Sequence, residues 1–450
     1  MLDRRGFLGS IALPSAAALA AFARSADASE SGFDREAWRE TLDEWADRAT
    51  DGSPMQVAAD EDFWRVPQQA FAIDRSMINL NNGGISPSPR VVLEAMRRFS
   101  DHANTAPAYV LWKLQEPQRE SVRGAVANHW GVSAEEIAFT RNASESLQIC
   151  QLGLDLKAGD EVVTTTQDYP RMLATFRQME RRNGIKLVLV TLPIPCENDA
   201  EVVSRLEAAI TPRTRMILIS HVINITGQIM PVKKVAEMAR GKNGGIPVVV
   251  DGAHAFAHLN FKLSDLGCDY YGVSLHKWLF APHGTGLLYV RREKIKGLWP
   301  MMAAKPEQDE DIRKFEEIGT HPAGPALAIA DALAFHQTIG DARKEARMRY
   351  LRNYWAERLA DTSEGAAHPV VFHTSLDPRF SCGIATFQLR GLESGKIASE
   401  LWERHKILVN AISHDEFEGI RVTPSIYTLT SELDRFVGAV RQIIKDGLAA

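Results

Sequence analysis

The feature that most constrains the fold of this chain is a series of short, fully apolar segments separated by stretches with a helical pattern. The clearest of these segments are 187–190, 216–219 and 247–250. Apolar runs of this length that alternate with helices are typical of parallel strands buried on both faces. The sequence therefore predicts a three-layer α/β domain, in which helices cover both faces of a mainly parallel sheet.

Beyond the apolar segment 287–290 the pattern changes, and a long helical region over about 323–361 precedes a β-rich piece and a terminal helix. This part reads as a small α+β domain that packs on the large one. The predicted organisation is an N-terminal arm over 29–75, a large domain over 76–320, and a connecting helix with the small domain over 321–450.

The first 28 residues have the features of an export signal. Arg4 and Arg5 precede an apolar, alanine-rich run over 11–23, and residues 26–28 fit an A-x-A cleavage site. The paired arginines favour the Tat route over an ordinary Sec signal or a frayed terminus. The run is too short to cross a hydrocarbon core of about 30 Å as a helix. We therefore expect a soluble periplasmic protein, exported by the Tat translocase, with no membrane insertion of the mature chain.

Composition excludes several classes of protein. The 57 acidic and 52 basic side chains give a net charge of −5 without any basic block, which argues against a nucleic-acid-binding protein. Four separated cysteines form neither a CxxC pair nor a disulfide-rich framework. His254 and His258 have a spacing that occurs in metal sites, but the sequence shows no third ligand, so we expect no metal.

Ligands of parallel α/β sheets bind at the carboxyl ends of the strands, so polar residues at those ends are candidates for chemistry. Asp251 closes an apolar strand, where its carboxylate requires a positive partner; the alternative is a turn or helix-capping aspartate. Lys277 follows the run 270–273, where burial would lower its pKa and permit Schiff-base chemistry; the alternative is a surface lysine.

Two further turns follow strands of the same predicted sheet. Residues 140–145 combine small and hydroxyl side chains at a helix start, which can bind a phosphate or simply cap the helix. Tyr169 follows the strand 162–165, where its ring can stack on a planar ligand or pack in the turn. Together these positions supply a phosphate site, an aromatic ring, an acid and an amine, the set that pyridoxal 5′-phosphate (PLP) requires.

The motifs resemble those of class V aminotransferase-fold enzymes, which depend on PLP. The resemblance spans about 76–445 and is nearest to the isopenicillin N epimerase-like and cysteine desulfurase-like branches. Its most specific motifs are 274–282 with 284–286, read alongside 251–254. It implies the PLP-dependent transferase fold of type I, with a mainly parallel seven-stranded sheet and a small α+β C-terminal domain. It also implies a homodimer.

By this resemblance, Lys277 forms the Schiff base and carries the proton at the substrate α-carbon, and Asp251 pairs with the pyridine nitrogen. His254 falls where relatives hydrogen-bond the phenolic oxygen of the cofactor, and Tyr169 occupies the ring-stacking position. The implied phosphate contacts come from Ala143, Ser144, Ser274 and His276. Asn224 is implied to lie beside both cofactor and substrate. The implied substrate contacts are Asn82 and Arg421, which binds the substrate carboxylate.

Two departures from the family pattern are informative. Desulfurases carry a nucleophilic cysteine in the loop that corresponds to 410–419, and the absence of cysteine there argues against a desulfurase that forms a persulfide. Where many relatives read Gly-Pro-Thr-Gly after the lysine, this chain reads Ala-Pro-His-Gly at 281–284. A phosphate contact across the dimer therefore falls to Thr285 or Thr320.

The expected activity is a PLP-dependent reaction, through an aldimine and a quinonoid, of an amino acid or a peptide-borne amino group. Transamination or a related tailoring reaction ranks first, epimerisation second, and β-elimination by a C–S lyase third. A PLP-binding protein without turnover is the non-enzymatic alternative, which the presence of Arg421 disfavours. A nucleotide-binding protein is disfavoured because no GxGxxG follows the first strand and no GxxxxGK[ST] occurs.

Overall fold

The computed structural model describes residues 45, 52–362 and 367–448. The predicted signal over 1–28 lies outside the described residues. So does the predicted arm up to residue 51, with the exception of Trp45. The helices, in chain order, are α1 (Pro54–Ala59), α2 (Glu61–Gln69), α3 (Arg90–Thr105), α4 (Pro107–Tyr109), α5 (Glu116–His129), α6 (Ala143–Gly153), α7 (Pro170–Asn183), α8 (Asp199–Ala208), α9 (Val232–Arg240), α10 (Leu263–Leu266), α11 (Gly324–Leu327), α12 (Ile329–Ile339), α13 (Asp341–Ala360), α14 (Ser394–His405) and α15 (Thr430–Asp446). The strands are β1 (Ile78–Asn79), β2 (Ile137–Thr140), β3 (Glu161–Thr165), β4 (Lys186–Val190), β5 (Thr214–Ser220), β6 (Val248–Asp251), β7 (Tyr270–Ser274), β8 (Gly286–Val290), β9 (Val370–Phe372), β10 (Ala385–Leu389), β11 (Ile407–Leu408), β12 (Asn410–Ser413) and β13 (Glu418–Val422).

The main sheet has seven strands in the order β2-β8-β7-β6-β5-β3-β4. Neighbouring strands from β7 to β4 are parallel, whereas β8 runs antiparallel to both β2 and β7. The central strands are apolar because they are covered on both faces: the side chains of 217–219 and 248–250 are 1% exposed or less. The predicted α/β fold with a mainly parallel, seven-stranded sheet is confirmed.

The C-terminal part contains a four-stranded antiparallel sheet in the order β12-β13-β10-β9. Its apolar cluster is built around Trp355 and Phe387. The short strand β1 pairs in parallel with β11, and Ile78 and Leu80 lie in this same cluster. The predicted domain boundaries assign residues 78–80 to the large domain. In the structure, the strand partner and the apolar neighbours of these residues belong to the C-terminal part of the chain.

The helical region that the sequence predicts over 323–361 is divided into α11, α12 and α13. Gly340 has a φ of 85° and ends α12, because the right-handed helix cannot continue through a left-handed residue. The break lets Asp341 at the start of α13 reach back to His336 in α12, with 2.8 Å between Oδ1 and Nε2.

The parallel strands β3, β5, β6 and β7 all end at the same edge of the sheet, and the loops that leave them carry most of the predicted site residues. Strand β13 supplies Arg421 from the C-terminal sheet. Within the described ranges, no helix combines the length and the apolar content needed to span a bilayer.

Candidate active site

Asp251 is a buried acid at the carboxyl end of β6. It is 7% exposed, and Oδ1 accepts a hydrogen bond from the main-chain N–H of Ala253 at 2.9 Å. None of the ion pairs among the described residues includes it. Burial raises the pKa of Asp251 to about 6, although the nearby charge of Lys277 opposes this. A buried carboxylate in this state requires a cationic partner, and a protonated ring nitrogen meets that requirement.

Lys277 lies in the turn after β7, with its Nζ 3.1 Å from Nε2 of His254. Burial lowers the pKa of Lys277 to about 8; Asp251 opposes this shift and Arg421 adds to it. An amine with such a pKa is partly neutral near physiological pH, and only the neutral amine attacks a carbonyl. The alternative of a surface lysine therefore does not describe this residue.

His254 and His258 have different environments. Burial lowers the pKa of His254 well below its usual value, and its Nδ1 is buried without a hydrogen-bond partner among the described residues. Nδ1 of His258 lies 3.0 Å from the carbonyl oxygen of His254, and its Nε2 accepts the N–H of Gly383 at 3.0 Å. Both nitrogens of His258 are thus occupied, so this residue joins the His254 segment to the C-terminal part and has no free nitrogen for a metal.

The turn between β2 and α6 brings the predicted phosphate residues together. The side chain of Asn142 caps α6, and the N–H of Ala143 donates to Oγ of Ser274 at 2.9 Å. Ser144 lies half-buried in the first turn of the helix. Gly286 packs against this turn, where a Cβ atom would lie 2.5 Å from the main-chain nitrogen of Asn142. A glycine is needed at this close approach.

His276 lies beside this turn, with Nδ1 3.1 Å from the carbonyl oxygen of Thr285. Burial, together with the charge of Lys277, lowers the pKa of His276 to about 4, so the imidazole is neutral. Thr285 is 3% exposed, and its hydroxyl donates to the carbonyl of Pro282 at 2.6 Å. Thr320, by contrast, is exposed. Of the two threonines considered for a contact across a dimer, only Thr320 is accessible.

Arg421 is a buried guanidinium without a counter-charge. It is 5% exposed, and it donates from Nη1 to the carbonyl of Asn224 at 3.0 Å and from Nη2 to Oδ1 of Asn81 at 2.9 Å. No carboxylate among the described residues pairs with it, and burial lowers the pKa of Arg421 to about 10. Such a group is suited to binding a carboxylate through two parallel hydrogen bonds.

The contact with Arg421 comes from Asn81, whereas the sequence points to Asn82. Asn82 is fully buried; its Nδ2 donates to the carbonyls of Asn79 and Thr423, both at 3.0 Å, and its Oδ1 accepts from the Tyr427 hydroxyl. Its amide is therefore not available to a substrate. Asn81 forms an isolated β-bridge with Thr423 and Asn82 begins a turn, so a shift of one position changes which amide reaches the site.

Tyr169 precedes α7, and its side chain is 38% exposed. The neighbouring Asp168 is buried, and its carboxylate accepts hydrogen bonds from the hydroxyls of Thr164, Thr165 and Ser220 at 2.7–2.9 Å. These bonds tie the loop after β3 to the end of β5 and so place Tyr169 at the ligand-binding edge of the sheet. Sequence reasoning missed this role of Asp168, although two threonines and an aspartate at a strand end were the available signal.

Three buried polar atoms of this cluster have no hydrogen-bond partner among the described residues: Nδ1 of His254, Oδ1 of Asn224 and Nε of Arg421. Orphaned buried polar groups are rare in folded proteins and require an explanation. Together with the unpaired Asp251 and the amine of Lys277, they fit PLP, which needs a carboxylate for its ring nitrogen, an amine for its aldehyde and polar partners around the ring.

Comparisons with known proteins agree with this assignment. The family model described as "Aminotransferase class-V" matches residues 78–433. Isopenicillin N epimerase of Streptomyces clavuligerus is 28% identical over 394 residues, covering 84% of this chain and 97% of that protein. Isopenicillin N epimerase of Amycolatopsis lactamdurans is 29% identical over 403 residues, covering 85% of this chain and 99% of that protein.

Among solved structures, the apo cysteine desulfurase from Thermococcus onnurineus NA1 has the same fold, with a TM-score of 0.72 and 24% sequence identity. The likeness covers 84% of this chain and 97% of that one. The family match runs from β1 into α15 and so contains both sheets, together with Lys277, Asp251 and Arg421. This chain therefore belongs to the class V aminotransferase family of enzymes.

Proposed function

We propose that this protein is a PLP-dependent enzyme that acts on the amino group of an amino acid or peptide and binds the substrate carboxylate at Arg421. The observation that carries the proposal is one buried cluster with three complementary groups. Lys277 has a pKa near 8, Asp251 has no ion-pair partner among the described residues, and Arg421 lacks a counter-charge there. When bound, PLP supplies an electron sink for negative charge at the substrate α-carbon.

Each residue of the cluster has a distinct task in this proposal. Arg421 and Asn81 orient the carboxylate, and Asp251 keeps the proton on the ring nitrogen. Lys277 is the general base at the α-carbon, since its lowered pKa makes the neutral amine available. The neutral imidazole of His254, 3.1 Å away, orients the Lys277 amine without competing for charge.

We infer transamination, or a related tailoring reaction, as the first outcome, because Lys277 is the one proton carrier that we identify among the described residues of the cluster. Burial leaves His254 and His276 neutral, with the pKa of His276 at about 4, so neither is an effective proton donor. Inversion at the α-carbon needs proton delivery from the opposite side as well. Epimerisation is the second candidate, and the likeness to two isopenicillin N epimerases over 84% and 85% of the chain supports it.

Half-reactions distinguish these outcomes. Purified holoenzyme is mixed with single amino acids or short peptides in D2O, with no keto acid present. Conversion of the cofactor to its amino form with release of a 2-oxo acid indicates transamination. Deuterium at the α-carbon with loss of optical activity and an unchanged cofactor indicates epimerisation, and release of a thiol with ammonia indicates β-elimination. Binding of these amines without any of the three reactions would overturn the proposal in favour of a PLP-binding protein without turnover.

We also propose export to the periplasm by the Tat translocase, which the paired Arg4 and Arg5 before an apolar run support. The Tat route carries folded proteins, and this suits an enzyme that binds its cofactor in the cytoplasm. Replacement of both arginines by lysine should retain the protein in the cytoplasmic fraction. Unchanged periplasmic recovery of that variant would contradict the Tat assignment.

A homodimer is a further part of the proposal. The exposed Thr320 is available for a contact with the phosphate of a second copy, and Trp299 exposes 69% of its surface next to the half-exposed Met301 and Met302. Apolar surface of this kind is typical of an interaction site. Sedimentation analysis should give twice the mass of the chain, and Thr320→Ala should weaken PLP retention without lowering that mass.

A further inference from the structure

Lys344 is a fully buried lysine in α13 that the proposed function does not use. Its Nζ donates a hydrogen bond to the carbonyl oxygen of Trp278, the residue that follows Lys277. The same Nζ lies 3.3 Å from Nδ1 of His336 and 4.1 Å from the centre of the Phe280 ring. The Nζ group of Lys344 thus contacts the turn that carries Lys277 at two points.

This turn is strained. Phe280 has a φ of 60°, in the left-handed region that residues with a Cβ atom rarely adopt. The turn is closed by a bond from the N–H of Ala281 to the carbonyl of Leu275 at 3.2 Å. A strained conformation persists only where the surroundings hold it in place. The ring of Phe280 packs against Phe71, with 5.3 Å between centroids, and against Nζ of Lys344.

A buried amino group is costly unless its hydrogen bonds are satisfied. A network that ends at Asp341 contributes to this, since Oδ1 of Asp341 lies 2.8 Å from Nε2 of His336 and 3.2 Å from Nε2 of His129. His336 therefore lies between the lysine and the aspartate and contacts each through a different ring nitrogen. Burial lowers the pKa of Lys344 well below its usual value, and the charge of Asp341 only partly opposes that shift. The hydrogen bond from Nζ to Trp278 does not depend on charge, because a neutral amine also donates.

His129, His336 and Asp341 also place three potential metal ligands within 4.8 Å of one another. The Nδ1 atom of His336 faces Nζ of Lys344, and that of His129 lies 3.3 Å from Nε2 of Gln337. With donors at both Nδ1 atoms, the ring protons lie on the Nε2 atoms, where a metal would have to bind. The geometry is that of a hydrogen-bonded chain.

We propose that Lys344 is a positioning residue for Lys277: supported by His336 and Asp341, its Nζ group holds the strained turn 277–280 so that the Lys277 amine lies at the site. The inference rests on the proposed function, since it concerns the lysine to which PLP is proposed to bind. Lys344 does not contact the reacting atoms, and its effect acts through the main chain of Trp278 and the ring of Phe280.

The test compares Lys344→Met with a matched control, Lys314→Met. Lys314 is 3% exposed and donates to the carbonyls of Ile295 and Asp309 at 2.7 and 2.9 Å. The same change there removes a similarly buried amino group outside the Lys277 turn. Hydrogen exchange is measured on cofactor-free protein. Loss of the bond to Trp278 should speed exchange of the 277–281 amides by about tenfold or more in Lys344→Met, and Lys314→Met should leave them unchanged.

A second readout uses the holoenzyme. Circular dichroism in the visible band of the bound cofactor depends on how the chromophore is held, so Lys344→Met should change this band and Lys314→Met should not. If Lys344→Met does not fold, Asp341→Asn carries the test. That variant keeps an oxygen acceptor for His336 but replaces a charged acceptor with a weaker neutral one. It should therefore speed exchange at 277–281 in the same direction by a smaller factor.

Equal exchange of the 277–281 amides in the two methionine variants, with unchanged circular dichroism, would overturn the positioning role. If Asp341→Asn is used instead of Lys344→Met, exchange of the 277–281 amides at the wild-type rate would also overturn the positioning role. Since exchange is measured without cofactor, these outcomes are separate from the proposed function. Failure to find PLP on Lys277 would overturn the proposed function and leave the exchange result standing.

Discussion

Nζ of Lys277 and Nε2 of His254 lie 3.1 Å apart, in loops that leave two neighbouring parallel strands. Burial lowers the pKa of both groups, and that of His254 lies far below that of Lys277, so the imidazole is neutral when the amine is charged. The ammonium then donates to Nε2, and the ring proton resides on Nδ1. That N–H has no acceptor among the described residues, which leaves it available to the cofactor.

Lys277→Ala should abolish covalent attachment of the cofactor. Borohydride reduction followed by peptide mapping should label the peptide that contains residue 277 in the wild type and no peptide in the variant. Activity should fall by about 10²–10⁴-fold or more, because the general base is lost together with the attachment point. Lys296→Ala is the control, since Lys296 is an exposed surface residue paired with Glu310. A borohydride-stable adduct in Lys277→Ala would show that another lysine has this role.

Asp251→Asn should change how the stability of the cofactor-free protein depends on pH. Burial raises the pKa of Asp251 from 3.8 to about 6, so the folded state retains a proton that the unfolded chain releases at lower pH. The Asp251 contribution to stability is therefore present below about pH 4 and is lost as the pH rises through about 6. This difference between the pKa of Asp251 in the folded and in the unfolded state corresponds to about 3 kcal/mol of unfolding free energy.

The variant carries no titrating group at this position. Its free energy of unfolding, relative to that of the wild type, should therefore rise by about 3 kcal/mol between about pH 4 and pH 7. Urea unfolding of both cofactor-free proteins across this range measures the difference. Parallel pH profiles would mean that the Asp251 carboxylate is not held in the environment that the structure shows.

Arg421→Lys should weaken substrate binding through the carboxylate. Lysine keeps the positive charge but cannot form two parallel hydrogen bonds, so we expect KM to rise about 10- to 100-fold with a smaller change in kcat. Steady-state kinetics with an amino acid substrate measures this. The matched amine without a carboxylate should be an equally poor substrate of both proteins. If KM for the amino acid is the same in both, the carboxylate binds elsewhere.

Asn81→Ala and Asn82→Ala should affect different properties: the first substrate binding, the second the stability of the fold. Asn81→Ala removes the oxygen that accepts from Arg421, so KM should rise about tenfold while the unfolding temperature changes little. Asn82→Ala leaves the buried Tyr427 hydroxyl without its acceptor and removes the Nδ2 donor to the carbonyls of Asn79 and Thr423, so the free energy of unfolding should fall by about 2–3 kcal/mol. Thermal unfolding and steady-state kinetics on both variants measure this contrast, and a reversed pattern would assign the substrate contact to Asn82.

The main elements of the large domain could be predicted locally. Strands such as β5 and β6 are recognisable because burial on both faces requires continuous apolar residues, and Asp251 is notable because it ends such a strand. β9 and β12 were not predictable in this way. Val370–Phe372 and Asn410–Ser413 are short and partly exposed, and they become strands through pairing with β10 and β13.

The sequence by itself determined the α/β fold, the order of its strands along the chain, and the acid and amine of the site, because each of these depends on residues close together in sequence. Only the tertiary structure decided that Asn81 reaches Arg421, that Asp168 holds the Tyr169 loop, and that Lys344 meets Trp278 across 66 positions of chain. Such contacts depend on register and on packing between distant segments, and the local pattern of residues specifies neither.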